Sequence, residues 1–260
     1  MQNGVKISYN NAIKPSGDNM KDNNFLNNNL LIAHRGLCSA EVPENSLLAF
    51  KEAIKNGYAI ELDVRPTGDG EVVVIKDDKL CRVTGIDGYV STSMSSALKN
   101  LVLCKTDQKI CTLSEALAEI NGAVPVFVHL HAPMSGQHFE RKVMDTLGGY
   151  KGDYAVISCS PKMLEWFKLN APHVKRGLVG GTIDCKPAPY GRRYRKQIYK
   201  LKGIKEAEPN FVCYNVDDAP YKALKKLKHL PLVMWNVKDL NDLDCAREMG
   251  ASAIFEGFRP

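Results

Sequence analysis

No apolar stretch in this 260-residue chain runs beyond six residues, the longest being Ala123–Val128 and Leu230–Trp235. A bilayer-spanning helix needs about 20, so a membrane-crossing segment is not expected. The N-terminus lacks the basic, apolar and small-residue succession of a secretory leader and carries nine asparagines within residues 1–29 instead. Eight cysteines, at 38, 81, 104, 111, 159, 185, 213 and 245, form no CxxC pair, and Cys159, Cys213 and Cys245 fall inside apolar or helical patterns. The expectation is reduced, mostly buried thiols in a cytoplasmic setting rather than disulfides or zinc. No acidic residue interrupts 192–205, where seven basic side chains sit in a chain of net charge +6. That stretch asks for an anionic neighbour such as a lipid headgroup or membrane surface. The alternative is a solvated helix anchored by Tyr194, Ile198 and Leu201 at helical spacing. No recognition fold or aromatic-basic motif accompanies the charge, so a nucleic-acid partner is not expected.

What the chain does contain is regular alternation. Eight β-rich runs, at 30–34, 59–64, 124–131, 154–159, 174–179, 210–216, 230–237 and 251–256, are separated by amphipathic stretches. Four of these stretches read as helices: SLLAFKEAIKNG, TLSEALAEING capped by Thr112, SPKMLEWFKLNAP, and DLNDLDCAREMG ending at Gly250. Parallel neighbours need crossovers of a dozen residues or more, and eight βα units fit the roughly 250 residues of a (β/α)8 barrel. The expected fold class is therefore α/β, a TIM barrel over 30–260, with residues 1–29 as a flexible or capping arm. An open doubly wound sheet is the alternative, weakened because neither a G-x-G-x-x-G after a strand nor a P-loop occurs. The chain stops just after the eighth strand with no eighth helix, so the arm or an oligomer contact is expected to cover that strand pair. The strand-like 71–77 falls in the connection after the second strand and reads as an excursion above the barrel mouth.

Barrel active sites gather at the C-terminal ends of the strands, and here those ends are polar. The first strand runs into His34-Arg35-Gly36, the second carries Glu61 and Asp63, the third carries His129 and His131, and the seventh ends near Trp235-Asn236. Residues two apart on a strand share a face, so each pair points one way. Two like carboxylates on one buried face repel unless a cation joins them, which favours a divalent metal. An ion-pair layer with Arg35 and Arg65, and core histidines at 129 and 131, are the alternatives.

These residues carry a resemblance. AHRG (33–36), PENS (43–46) leading into LAFKEAIKNG, IELDV-RPT-GDG (60–70) and VVVIKDDKLCRVTG (72–85) resemble, in order and spacing, the glycerophosphodiester phosphodiesterase family. The likeness continues through TLSEAL, the third strand, ISCSP and W-x-V at 235–237, covering about residues 31–257. It implies a metal-dependent (β/α)8 barrel of the phospholipase C-like phosphodiesterase type. Such an enzyme cleaves a small-molecule glycerophosphodiester to glycerol 3-phosphate and an alcohol. Carried over by position, His34 matches a catalytic histidine, Arg35 a phosphate contact, Glu61 and Asp63 metal ligands, and Glu44 the glutamate beside them. Trp235 falls in the substrate-facing W-x-V.

Three positions depart. Lys76 stands before Asp77 where the family has its second catalytic histidine. His129-Leu130-His131 replaces an E-x-K that supplies a metal carboxylate and a phosphate-binding lysine. Phe255-Glu256-Gly257-Phe258-Arg259-Pro260 replaces T-D-x-P. Lysine is protonated at pH 7 and can give a proton or stabilise charge but is a poor base. The resemblance implies Mg²⁺ or Ca²⁺, and an imidazole at 129 tilts the set of Glu44, Glu61, Asp63 and His129 toward Mn²⁺ or Zn²⁺. His131 is then left to meet phosphate or to carry a proton. A working phosphodiesterase with Lys76 in a catalytic role and a catalytically impaired module that binds a phosphodiester or anionic headgroup both fit these changes.

Overall fold

The computed structural model describes residues 25–27, 29–104, 106–132, 137–183, 191–219, 222 and 224–260. Cys185 and residues 1–24 of the expected arm lie outside them. Nine strands form one sheet: β1 (Leu31–His34), β2 (Ala59–Pro66), β3 (Val72–Val74), β4 (Val126–Leu130), β5 (Tyr154–Ser158), β6 (Lys175–Gly180), β7 (Phe211–Asn215), β8 (Leu232–Val237) and β9 (Ser252–Phe255). All but β3 are parallel, and β1 pairs with both β2 and β9. The sheet is thus a closed eight-stranded barrel and not the open alternative. None of the helices among the described residues is long and apolar enough to cross a membrane.

Local sequence explains the helical layer. Ser46 accepts from Ala49 N–H to start the helix Leu47–Lys55, Thr112 and Glu115 form a capping box on Leu113–Ile120, and Asp239 caps Leu240–Glu248. The helix Pro161–Asn170 begins with proline at its first turn. A further helix, His138–Leu147, buries Phe139, Val143 and Leu147 along one face but has no capping side chain to mark its start. The basic stretch forms the helix Arg192–Tyr199, with Ile198 and Leu201 buried and Tyr194 half-buried. The helix is thus anchored at the expected positions, with Arg192, Arg193, Arg195 and Lys196 exposed.

The barrel interior is closed at its floor. Phe127 meets Phe211 edge-on at 5.9 Å and Phe25 at 5.8 Å, and Phe25 and Leu26 pack with Ile32, Ala59, Phe127, Phe211, Val233 and Ile254. The end of the expected arm, a single turn over Phe25–Asn27, therefore plugs the barrel. Beside β1 and β9 the C-terminal tail provides cover: Phe258 stacks edge-on against Phe255 at 5.9 Å, and Tyr58 donates to the Pro260 carbonyl at 3.2 Å.

The strand-like 71–77 shrinks to β3, antiparallel to β2 with Val64 opposite Val74. It belongs to a second packing unit over the barrel rim, built from Val73, Ile75, Leu80, Val90, Leu98, Leu103 and Ile110. The cysteines correct the burial expectation: of the seven described, only Cys111 and Cys213 are buried, while Cys38, Cys81 and Cys104 are exposed.

Phe25→Ala removes an aromatic plug that a loop cannot refill. Urea unfolding should show a loss of about 3 kcal/mol, and a change below about 1 kcal/mol would mean that the floor closes without it.

Candidate active site

The turn after β1 needs two left-handed residues in succession, Arg35 at φ 59° and Gly36 at φ 82°. Only glycine fits the second, because a Cβ there would lie 2.7 Å from Ala49 Cβ and 2.8 Å from its backbone carbon. The turn brings Arg35 N–H onto Glu61 Oε2 at 3.1 Å. The PENS segment then divides its work: Glu44 pairs with Arg35 at 2.7 Å, Asn45 serves Asp63, and Ser46 caps the helix. Asn45, itself at φ 56°, donates to Asp63 Oδ2 and accepts from Asp63 N–H, both at 3.1 Å.

Asp63 is fully buried at the C-terminal end of β2. Around it stand Arg35 Nε at 3.0 Å, His131 Nε2 at 2.6 Å, Lys76 Nζ at 3.4 Å and His129 Nδ1 at 3.7 Å. Arg35 Nε is close but off hydrogen-bond alignment, so that contact is an ion pair without a directed bond. Burial pushes the Asp63 carboxyl up, but Lys76, Arg35 and His131 outweigh it and hold it well below the usual carboxylate range. Burial likewise opposes the Arg35 charge, which Asp63, Glu44 and Glu61 more than restore, leaving the guanidinium harder to deprotonate than usual. Glu44 is pushed up by burial and pulled further down by Arg82 and Arg35. Arg82 grips it through two nitrogens at 2.7 and 2.8 Å and also pairs with Asp77.

The two β4-side histidines lie ring to ring, centroids 4.0 Å apart. Burial lowers the pKa of His129, while burial followed by the Lys76 charge takes His131 well below its ordinary value, so both shifts favour the neutral imidazole. A carboxylate can only accept. His129 Nδ1–H therefore donates to Glu61 Oε1 at 3.1 Å and His131 Nε2–H to Asp63 Oδ1 at 2.6 Å. The same bond makes the 3.4 Å approach of Lys76 Nζ to His131 Nε2 a contact, not a hydrogen bond. His129 Nε2 is then a buried lone pair without a partner.

Across the mouth, His34 Nδ1 meets Glu256 Oε2 at 2.6 Å, with Nε2 3.9 Å from Glu61 Oε2. The carboxylate assigns the proton to Nδ1 and frees Nε2 as a base. The His34 bond, opposed by burial, draws the Glu256 pKa down to about 2. Trp235 gives its indole N–H to the Gly180 carbonyl at 2.9 Å. It stands at a break in register between Met234 and Val237, and meets the mouth as a wall. His34, Arg35, Glu61, Lys76, His129 and His131 all line one cavity of about 1310 Å³, with Ile157, Val179 and Trp235 among its walls.

The sequence-derived residues are thus brought together, but Glu61 and Glu44 of the expected metal set fall outside the group whose donor atoms converge. Asp63, His129 and His131 place donor atoms within 4.8 Å of one another, so His131 joins the candidate metal set, while Glu44 is engaged by two arginines. Glu256 and Asn45 went unread as contributors. Asn45 lay in plain view inside PENS; Glu256 was visible only as the acidic residue ending the last strand. The donor set fits a metal: a neutral imidazole with an orphaned lone pair, a second imidazole and an ionised carboxylate, with Glu61 adjacent, suit a borderline divalent ion.

A closed (β/α)8 barrel with an arginine, an oriented histidine and a metal-competent Asp-His-His group at its C-terminal mouth defines a class of anion-handling barrel sites. The family model described as the glycerophosphoryl diester phosphodiesterase family matches residues 34–257, and the chain belongs to that family. It is 36% identical over 240 residues to a glycerophosphodiester phosphodiesterase of Caldanaerobacter subterraneus subsp. tengcongensis, covering 86% of this chain and 92% of that one. It is 38% identical over 258 residues to a probable glycerophosphodiester phosphodiesterase 1 of Mycobacterium tuberculosis, covering 86% and 87%. In fold it resembles an Oleispira antarctica phosphodiesterase solved with its product sn-glycerol-3-phosphate, at a TM-score of 0.72 and 22% identity over 87% of this chain and 92% of that one.

The Glu256 contact has a testable pH signature. Its folded pKa lies below the unfolded value near 4.5, so its stabilisation is complete above about pH 4.5 and is lost as pH falls through about 2. Urea midpoints should show wild type ahead of Glu256→Gln at pH 6, with the gap narrowing below pH 4.5; a gap independent of pH would refute the pairing.

Proposed function

We infer that this protein hydrolyses glycerophosphodiesters to glycerol 3-phosphate and an alcohol. The observation that carries the reading is His34, fixed by Glu256 with Nε2 free, beside Arg35 and the Asp63–His129–His131 group in one mouth. Arg35 has five donors, two of them facing Glu44 and Asp63, and the others are available to phosphate oxygens. His34 Nε2 takes the proton of the oxygen attacking phosphorus as the bond to the leaving alcohol breaks. Lys76 stabilises the charge that develops and can return a proton to that alcohol. Asp63, His129 and His131, with Glu61 beside them, would hold a divalent ion, Mn²⁺ or Zn²⁺ before Mg²⁺ or Ca²⁺, whose chemistry is to polarise a phosphoryl oxygen. Trp235 and the apolar wall face the leaving group.

The same proposal makes residues 30–260 one catalytic unit and the exposed Arg192, Arg193, Arg195 and Lys196 a rim for anionic headgroups. It sets the protein in the cytoplasm, where its free thiols stay reduced. A second reading, a binding module without turnover, is favoured by one observation: the Lys76 ammonium is drawn onto Asp63 at 3.4 Å.

Turnover of glycerophosphocholine, measured across Mg²⁺, Ca²⁺, Mn²⁺ and Zn²⁺, should be metal-dependent and should fall on the order of 10²–10⁴-fold in His34→Ala. Activity untouched by that substitution would overturn the assignment. A silent wild type that gains turnover in Lys76→His would select the binding module.

A further inference from the structure

Lys76 stands beside the group that could hold a metal. Its Nζ is 3.4 Å from both Asp63 Oδ1 and His131 Nε2, two of the three donor residues of the candidate metal group. An ion bonded to Asp63 Oδ1 at an ordinary distance of about 2.1 Å would lie, wherever it sat on that oxygen, no more than about 5.5 Å from the ammonium as placed. A dication and an ammonium that close, beside a carboxylate buried from water, repel strongly, because little solvent screens them. The lysine has somewhere to go: its side chain is 24% exposed, it lines the open mouth, and it hangs on a flexible four-carbon stem. Its backbone stays anchored, since its carbonyl accepts from Arg65 Nε at 2.6 Å.

We propose that Lys76 is a tethered cation that competes with a divalent metal for Asp63, so that the ammonium and the ion exchange places and Lys76 sets the metal affinity of the site. The proposal rests on the metal reading above and extends it to a residue of this chain that is not itself a ligand. With no ion bound, the ammonium neutralises Asp63 and keeps the buried donors together. With an ion bound, the stem swings outward and delivers its charge to the mouth, where the substrate's phosphate lies.

The test is binding, read without turnover. Metal-stripped full-length protein is titrated with Mn²⁺, and free ion is followed by electron paramagnetic resonance. Manganese is the chosen probe because it avoids the exposed cysteines. Wild type, Lys76→Met and Lys76→Arg are compared, each with and without His129→Ala to identify binding at this site. Lys76→Met, which keeps the stem and drops the charge, should bind at least about tenfold tighter than wild type, while Lys76→Arg should bind no tighter. Equal or weaker binding by Lys76→Met, with that binding still abolished by His129→Ala, overturns the competition and leaves the metal reading standing. Failure of all three proteins to show any binding sensitive to His129→Ala overturns both. Thermal melts of the three proteins guard against misfolding, and the charge-keeping Lys76→Arg separates loss of charge from loss of packing.

Discussion

A carboxylate with no exposure to water is the constraint around which the mouth of this barrel is arranged. Asp63 sits at 0% exposure, where an isolated charge would cost several kcal/mol, and it stays ionised because every element nearby contributes a donor or a positive charge. The β1 turn contributes Arg35, the following loop Asn45, the β2–β3 excursion Lys76, and the end of β4 His131. Removing any one leaves the others facing an under-compensated charge. The backbone conformations that look expensive, left-handed Arg35, Gly36 and Asn45, are the ones that aim these groups inward.

The parallel register turns that constraint into a shared site. Because β1, β2 and β4 pair with His34 opposite Glu61 and Asp63 opposite His129, the chemistry-bearing side chains of three strands gather at neighbouring positions of the barrel mouth. Glu256 reaches the mouth from the strand on the other side of β1 and fixes the tautomer of His34. The result is a mouth with two proton arrangements: a histidine backed by an exposed-side carboxylate, and a pair of imidazoles held neutral by burial.

Much of this was legible in the sequence because it is local. Eight β-rich runs at regular spacing announce the barrel, and HRG, PENS and E-x-D each place their residues within one turn or one strand. What stayed hidden depends on long-range register or on side-chain choice. His34 and Glu256 are 222 residues apart and meet only because the barrel closes. The direction of Lys76 follows from Ile75 N–H bonding to the Asp63 carbonyl, a pairing that depends on the exact turn between β2 and β3. That His131, and not Glu44, brings a donor atom close to Asp63 and His129 depends on the pairing of β4 with β2. The start of the helix His138–Leu147 is not legible because no capping side chain precedes it.

The unit over the rim has a core of its own, separate from the two cores of the barrel. Lys76 follows directly on Ile75 of that small core, and Arg82, which clamps Glu44, lies two residues beyond Leu80. The cations that meet Asp63 and Glu44 are thus mounted on two bodies: Arg35 on the barrel, Lys76 and Arg82 on its satellite. A small core opens at lower free energy than a large one. A transient opening of the satellite would withdraw Lys76 and Arg82 together while the strands and their carboxylates stay in place. The charge balance around Asp63 and Glu44 is in this way coupled to the local stability of a segment that takes no part in closing the barrel.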